Sequence, residues 1–268
     1  MRYIKDCISL NSEHDHPLLR QVLRSGFITH EQLIEFMQLG GYESCRSTFN
    51  WRARRLTAYG LIARCTPPSL GKMFVYSITA AGALELASTG EQYLVAPPKA
   101  RRHGYDLQVA HSLEINNIHL SLLRAGMLAR WVPEIQLRSW NALSGIGNNK
   151  VYDAIVTIRL QDRAATFALE YERTAKSEDD YDDIRSKLDA EVRVERFLYL
   201  APSEDVLRFV SWQFRNSPRD VCFGLLADWY RRLLDTEVFN WQWQEYRPFR
   251  IALLGSARPA QVSAMALS

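Results

Sequence analysis

The feature that most restricts how this chain folds is a hydrophobic period that changes twice between Leu18 and Ala87. Leu18, Leu19, Val22 and Leu23 recur at helical spacing behind Pro17, a residue suited to a first helical turn. Phe27 to Met37 reads as a second helix, with Thr29 as N-cap and Gln32 three residues on as the other half of a capping box. Gly40-Gly41 ends it. A third helix, capped by Ser44 or Ser47, runs to about Tyr59 with Phe49, Ala53 and Leu56 on its inner face, and Gly60 stops it. The period then falls to two. Leu61 to Cys65 and Met73 to Ile78 read as a hairpin around the turn-rich Thr66–Lys72, and Thr79 to Ala87 returns to a helix of small residues.

Helices, hairpin and closing helix in this order predict a winged helix-turn-helix over residues 1–92. The string RRLTAYGLIAR…FVYSITAAGALELA resembles the winged-helix pattern of many bacterial DNA-binding proteins. The chain's net charge of +3, from 33 Lys and Arg against 30 Asp and Glu, says little about partners until it is mapped along the sequence. No acid occurs from Ser44 to Leu84, where Arg46, Arg52, Arg54, Arg55, Arg64 and Lys72 fall. Arg46, Asn50, Arg52 and Arg54 lie off the apolar stripe of the third helix and are candidates to meet phosphates or base edges in a major groove; Arg64 and Lys72 are candidates on the wing. Arg55 is expected to lean back toward the core, and Trp51 to pack rather than stack on bases. A winged helix that docks protein instead of DNA is the alternative reading. Double-stranded DNA is the expected partner.

Residues 93–104 read as a basic linker, stiffened by Pro97-Pro98 and carrying Lys99, Arg101 and Arg102 as further candidates for contact with the DNA backbone. From 105 to 268 the pattern is that of a second, mixed α/β domain. Leu107 to Ala125 is a helix, Trp131 to Leu137 a strand, and Asn141 to Lys150 a polar loop. Strands follow at Val151–Ile158 and Ala165–Glu172, then an acidic helix from about Glu178 to Val192 and the strand Phe197–Leu200. Val206–Phe214 reads as a helix, Val221–Leu225 as a strand and Ala227–Leu234 as a short helix. A Trp- and Tyr-rich strand lies near the end, where Trp241 and Trp243 are expected on one side. His111 and His119, eight apart on one helix, are expected to make ordinary polar contacts.

The cysteines at 7, 45, 65 and 222 are scattered, with no metal-binding spacing. No apolar run reaches the roughly 18–20 residues of a membrane span, and the start of the chain has no secretory pattern. A cytoplasmic protein without membrane partners is the expectation.

The order helix, three strands, helix, strand resembles the αβββαβ core of PD-(D/E)xK restriction-endonuclease-like domains. That resemblance implies a divalent cation, Mg2+, held by Asp153 and Glu170, with a lysine two residues beyond the strand acid. Glu172 stands at the lysine's place, a reversal of charge. Lys176 or Lys187 are the candidates to fill the vacated role, and Glu114 is expected near the same site. Asp153, Glu170, Glu172 and Lys176 are therefore the catalytic candidates if the domain is a nuclease. Over roughly residues 15–215 the two-part arrangement is similar to the replication-relaxation family, on the wing-to-SITAAG stretch, HSLEINNIHLSL and YDAIV…FALEYERTAKS. That family joins a winged helix to a nuclease-like domain in plasmid- and mobile-element-borne proteins. The resemblance implies a DNA-binding transcriptional regulator or replication or transfer accessory factor, needing no cofactor to bind DNA. Its nuclease-like domain would be inactive and used for homodimerisation, a protein partner or a ligand. The alternative is a Mg2+-dependent endonuclease targeted by its winged helix.

Overall fold

The computed structural model describes residues 9–91, 93, 105–144, 150–160 and 163–254. Lys99, Arg101 and Arg102 lie outside them, as do Cys7 and most of the linker.

The amino-terminal elements are α1 (Asp15–Ser25), β1 (Ile28–Thr29), α2 (His30–Leu39), α3 (Arg46–Ala58), β2 (Ile62–Cys65), β3 (Val75–Ile78) and α4 (Ala80–Ser88). The capping box forms as the sequence predicts: the Thr29 side chain accepts from the Gln32 amide, and the Gln32 side chain accepts from the Thr29 amide. The expected cap of α3 does not form. Cys45 takes the N-cap position with no side-chain capping bond, and neither Ser44 nor Ser47 does so. The hairpin gains a third strand, because β1 pairs antiparallel with β3 to give the order β1-β3-β2. Leu18, Leu19, Val22, Leu33, Phe49 and Leu56 close the core beneath it, each fully or almost fully buried and worth about 1.5–3 kcal/mol. Three helices, a β-wing and a closing helix are the arrangement of a winged helix-turn-helix. Gly82, at the start of α4, is obligatory for the packing: a Cβ there would stand 2.1 Å from the Leu61 carbonyl oxygen.

The second half runs α5 (Tyr105–Arg124), β4 (Leu128–Pro133), α6 (Glu134–Ser144), β5 (Ala154–Leu160), β6 (Arg163–Tyr171), α7 (Glu178–Asp189), β7 (Arg196–Ala201), α8 (Glu204–Gln213), β8 (Asp220–Leu225), α9 (Leu226–Arg232), β9 (Glu237–Asn240), β10 (Glu245–Pro248) and α10 (Phe249–Leu254). One seven-stranded sheet orders them β10-β9-β8-β7-β6-β5-β4. β6, β7 and β8 are mutually parallel, and the flanking pairs are antiparallel. Alternate residues of β7 supply the two faces. Leu198 and Leu200 join Ile118, Leu122, Trp229 and Phe249 on one side; Phe197 and Tyr199 join Tyr181, Leu188, Val210 and Phe214 on the other. The class is α+β with one large mixed sheet, and among the described residues no helix is long and apolar enough to cross a membrane.

Two local expectations are corrected. The strand predicted over Trp131–Leu137 ends at Pro133, and α6 begins at the next residue. Pro133 has no N–H to extend a ladder on this edge strand, and Glu134 pairs with Arg138 one helical turn on. An additional helix thus separates the first two strands of the predicted order. Trp241 and Trp243 lie in the turn between β9 and β10, not on one strand face. Their indoles go to opposite layers, Trp241 against the α7–α8 side and Trp243 against the α5–α10 side.

Helix α5 belongs to both halves. Leu120 is buried in the winged-helix core while Ile118 and Leu122 are buried under the sheet. Polar bonds fix the same seam: Asn116 Nδ2 donates to the Phe27 carbonyl at 2.8 Å, and Gln32 Nε2 donates to the Leu113 carbonyl at 2.8 Å and to Asn117 Oδ1 at 2.7 Å.

Candidate nucleic-acid interface and carboxylate cluster

On α3 the side chains at 47, 50, 51, 54 and 58 share one side by the 3.6-residue period, opposite Phe49, Ala53 and Leu56. Ser47, Trp51, Arg54 and Ala58 are exposed, and Asn50 is half-buried. Trp51 is therefore not the packing residue that the sequence suggested: 54% of it is open, with the Arg55 guanidinium 4.8 Å from its ring centre. Asn50 Oδ1 accepts from His30 Nε2 at 2.8 Å, which fixes this amide's orientation on the face. Arg54 is exposed and, among the described residues, bonds only the Asn50 carbonyl of its own helix, at 3.3 Å. Arg46 is also exposed but paired with Glu31 of α2. On the wing, Lys72 is exposed beside Gly71, and the Arg64 guanidinium lies 3.4 Å from the Phe74 ring centre.

Arg52 is the clear correction. It is buried, its Nη1 bonding Asp15 Oδ1 at 2.9 Å and its Nε bonding Glu43 Oε1 at 2.5 Å. It ties α3 to α1 and to the α2–α3 turn and faces no solvent groove. Arg55 leans back as expected, onto Asp15 and the Ser9 carbonyl. Burial works to raise the Asp15 carboxyl, but the Asn11 amide and both guanidiniums hold it below the usual carboxylate range.

The second cluster forms where β5 and β6 begin and end. Their register pairs Ala154 with Leu169, so Asp153 and Glu170 occupy the next rung. Asp153 Oδ1 meets His111 Nε2 at 2.9 Å, and Asp153 Oδ2 accepts from the Tyr171 amide at 2.7 Å. Glu170 is bound by the Lys150 ammonium, with both side chains almost buried. Glu172 is buried and paired with Lys176 in the loop that leads to α7. Burial pushes the Glu170 carboxyl up to about 7, with Lys150 pulling against it and the Asp153 charge adding to it. Burial would raise Asp153 too, but His111, the Tyr171 amide and Lys150 keep it low. His111 resists burial and is raised by Asp153. His119, by contrast, lies flat on Trp131 at 4.1 Å and is held down to about 3 by burial and the Arg24 charge.

His111, Lys150, Asp153, Glu170, Glu172 and Lys176 line a cavity of about 400 Å³, and their donor set does not fit a divalent cation. Such an ion needs several oxygens whose lone pairs converge on it. Here each oxygen of Asp153 already receives an N–H, and an ammonium occupies Glu170. Among the described residues no three acids, histidines or cysteines converge as metal ligands. Lys176 neutralises Glu172 instead of reaching the Asp153–Glu170 rung, Lys187 pairs with Asp183 of its own helix, and Glu114 accepts the Tyr230 hydroxyl. Lys150 and His111 are the residues that sequence reasoning missed. Lys150 sat at the end of a polar loop. Only the β5–β6 register, which brings residues 153 and 170 onto one rung, carried a signal for it.

No family model matches this chain, and no curated protein matches it. Among solved structures, Bacillus subtilis PadR in complex with operator DNA is similar at 16% identity and a TM-score of 0.26, over 74% of this chain and 94% of that one. The winged-helix assignment rests on the topology given above, not on this likeness.

Proposed function

We propose that this protein binds double-stranded DNA through α3 and the β2–β3 wing, with residues 1–92 as the reader and 105–268 as a non-catalytic domain for a partner, a second copy or a ligand. The observation that carries this reading is the solvent face of α3 and the wing. Arg54, Arg64 and Lys72 meet no carboxylate among the described residues, and they flank an exposed Trp51 and an oriented Asn50. Guanidinium and ammonium groups supply the phosphate attraction; an amide and an indole on the same face supply what base edges and thymine methyls can read. Transcriptional regulation, or an accessory role in replication or transfer of a mobile element, is the process this activity would serve.

The test is fluorescence anisotropy on duplex DNA over a range of salt. Arg54→Ala and Lys72→Ala should each weaken binding and reduce the salt slope by about one. Unchanged affinity and slope in both would refute the reading. The internal pairing of Asp153 and Glu170 supports the non-catalytic assignment, so supercoiled plasmid should stay intact with Mg2+ or Mn2+. Nicking abolished by Asp153→Ala would overturn it.

A further inference from the structure

A cavity of about 800 Å³ opens between the winged helix and the sheet domain, walled by α1, α5 and the β4–α6 corner. That volume is within the range of about 300–1,000 Å³ typical of small-molecule sites. Two arginines, one on α1 and one on β4, set its chemistry. Arg24, in the last turn of α1, donates Nε and Nη2 to the Tyr93 hydroxyl at 3.3 and 3.2 Å. Arg130, on β4, has its guanidinium 5.7 Å from the Trp140 ring centre. Among the described residues neither forms a salt bridge, although the Glu91 carboxylate accepts from the same Tyr93 hydroxyl and acts on Arg24 at longer range. Arg20 and Arg138 also line the space, but Glu91 and Glu134 already compensate them. The same cavity is lined by an uncharged aromatic pair. His119 stacks on Trp131 with their planes 3° apart, and Phe36 meets the His119 ring edge-on at 4.8 Å.

Two guanidiniums and a neutral, stacked ring pair lining one cavity select a ligand that is anionic at one end and planar at the other. A guanidinium binds phosphate through paired N–H donors. Inorganic phosphate alone would leave the aromatic pair and most of the volume to water. We propose that this cavity binds an organic phosphate of nucleotide size, its ring against the Trp131–His119 pair and its phosphate taken by Arg24 and Arg130. Such a ligand would touch both halves of the molecule at once. The site is independent of the DNA-binding reading, since none of these groups is on the exposed face of α3 or on the wing.

The test is a fluorescence titration of the full chain with the N-methylanthraniloyl derivative of ADP, followed by competition with ADP, adenosine and inorganic phosphate. Saturable binding is expected, displaced by ADP far better than by adenosine or phosphate. It should weaken about tenfold in Arg24→Gln and in Arg130→Gln, the loss typical of one charge-assisted bond. Arg231→Gln, an exposed arginine on α9 remote from the cavity lining, should leave it unchanged. Arg130 is solvent-facing, so its replacement leaves the core intact and keeps the test decisive if Arg24→Gln fails to fold. No saturable binding, equal competition by phosphate or by adenosine, or undiminished affinity in Arg130→Gln would each overturn the proposal.

Discussion

Replacing Arg52 separates a folding role from a DNA-binding one, and the structure fixes the size of the effect. The side chains of Arg52, Asp15 and Glu43 are 8%, 0% and 4% exposed, so Arg52→Ala leaves carboxylates buried without their cation. Removing one partner of a buried pair costs about 3–5 kcal/mol. Asp15 retains Arg55 and the Asn11 amide, whereas Glu43 has no second side-chain partner among the described residues. One bare carboxylate instead of two puts the loss near the lower end, about 3 kcal/mol. At about 2–4 °C per kcal/mol for a chain of this size, the melting temperature should fall by roughly 6–12 °C. Urea unfolding should show a lower midpoint at an unchanged slope. Well below that melting temperature, affinity for duplex DNA should stay within about twofold of the parent, a free-energy change under about 0.5 kcal/mol. Arg54→Ala should do the reverse, lowering affinity while moving stability by no more than about 0.5 kcal/mol. If Arg52→Ala melts with the parent and binds DNA tenfold more weakly, the inward assignment of this arginine is refuted.

Two further perturbations address other parts of the molecule. Folded Glu170 keeps its proton up to about 7, whereas a free glutamate releases it near about 4.3, so the folded chain binds more protons across that interval and stability falls as pH rises through it. Glu170→Gln should flatten this slope in urea titrations without abolishing it, because His111, also raised, acts in the same sense; an unaltered slope would exclude Glu170 as its source. Gly82→Ala should cost about 1–3 kcal/mol in thermal unfolding, since the new methyl must displace either the Leu61 carbonyl or Ile78 Cδ1, which a Cβ would approach to 2.8 Å; an unshifted melting temperature would show that the two elements are not in close contact.

Local signals carried the winged helix into view. The Thr29–Gln32 box, the glycines after the second and third helices and the returning strand at Val75–Ile78 each act within a few residues, and each forms as read. Rotation about a helix axis is a different matter. Arg52 sits one position before Ala53 on α3, and its inward turn is set by Asp15 and Glu43. Both acids lie outside the acid-free window that made this arginine look unpaired. Glu31 compensates Arg46 in the same way. Trp51 faces outward because Phe49 and Ala53 already fill the stripe, which residue type alone does not reveal. In the second half, Asp153 and Glu170 were legible as a pair. Their cationic partners were not, because His111 lies 42 residues from Asp153 and Lys150 lies 20 from Glu170. The start of α6 depended on Pro133 ending an edge strand, a property of sheet order rather than of local pattern.

The placement of α5 decides where this protein can be cut. A fragment ending at residue 92 would lose Leu120 from its core and the Asn116 amide from the Phe27 carbonyl, and would leave the Gln32 side chain without its two acceptors. A fragment starting at residue 105 would carry Leu120 into water. Neither half is sealed without the other's share of one 20-residue helix, so the chain should melt in a single cooperative transition. The smallest reader that could be transplanted ends at Arg124 and takes the apolar underside of α5 with it, still asking for a sheet to cover it.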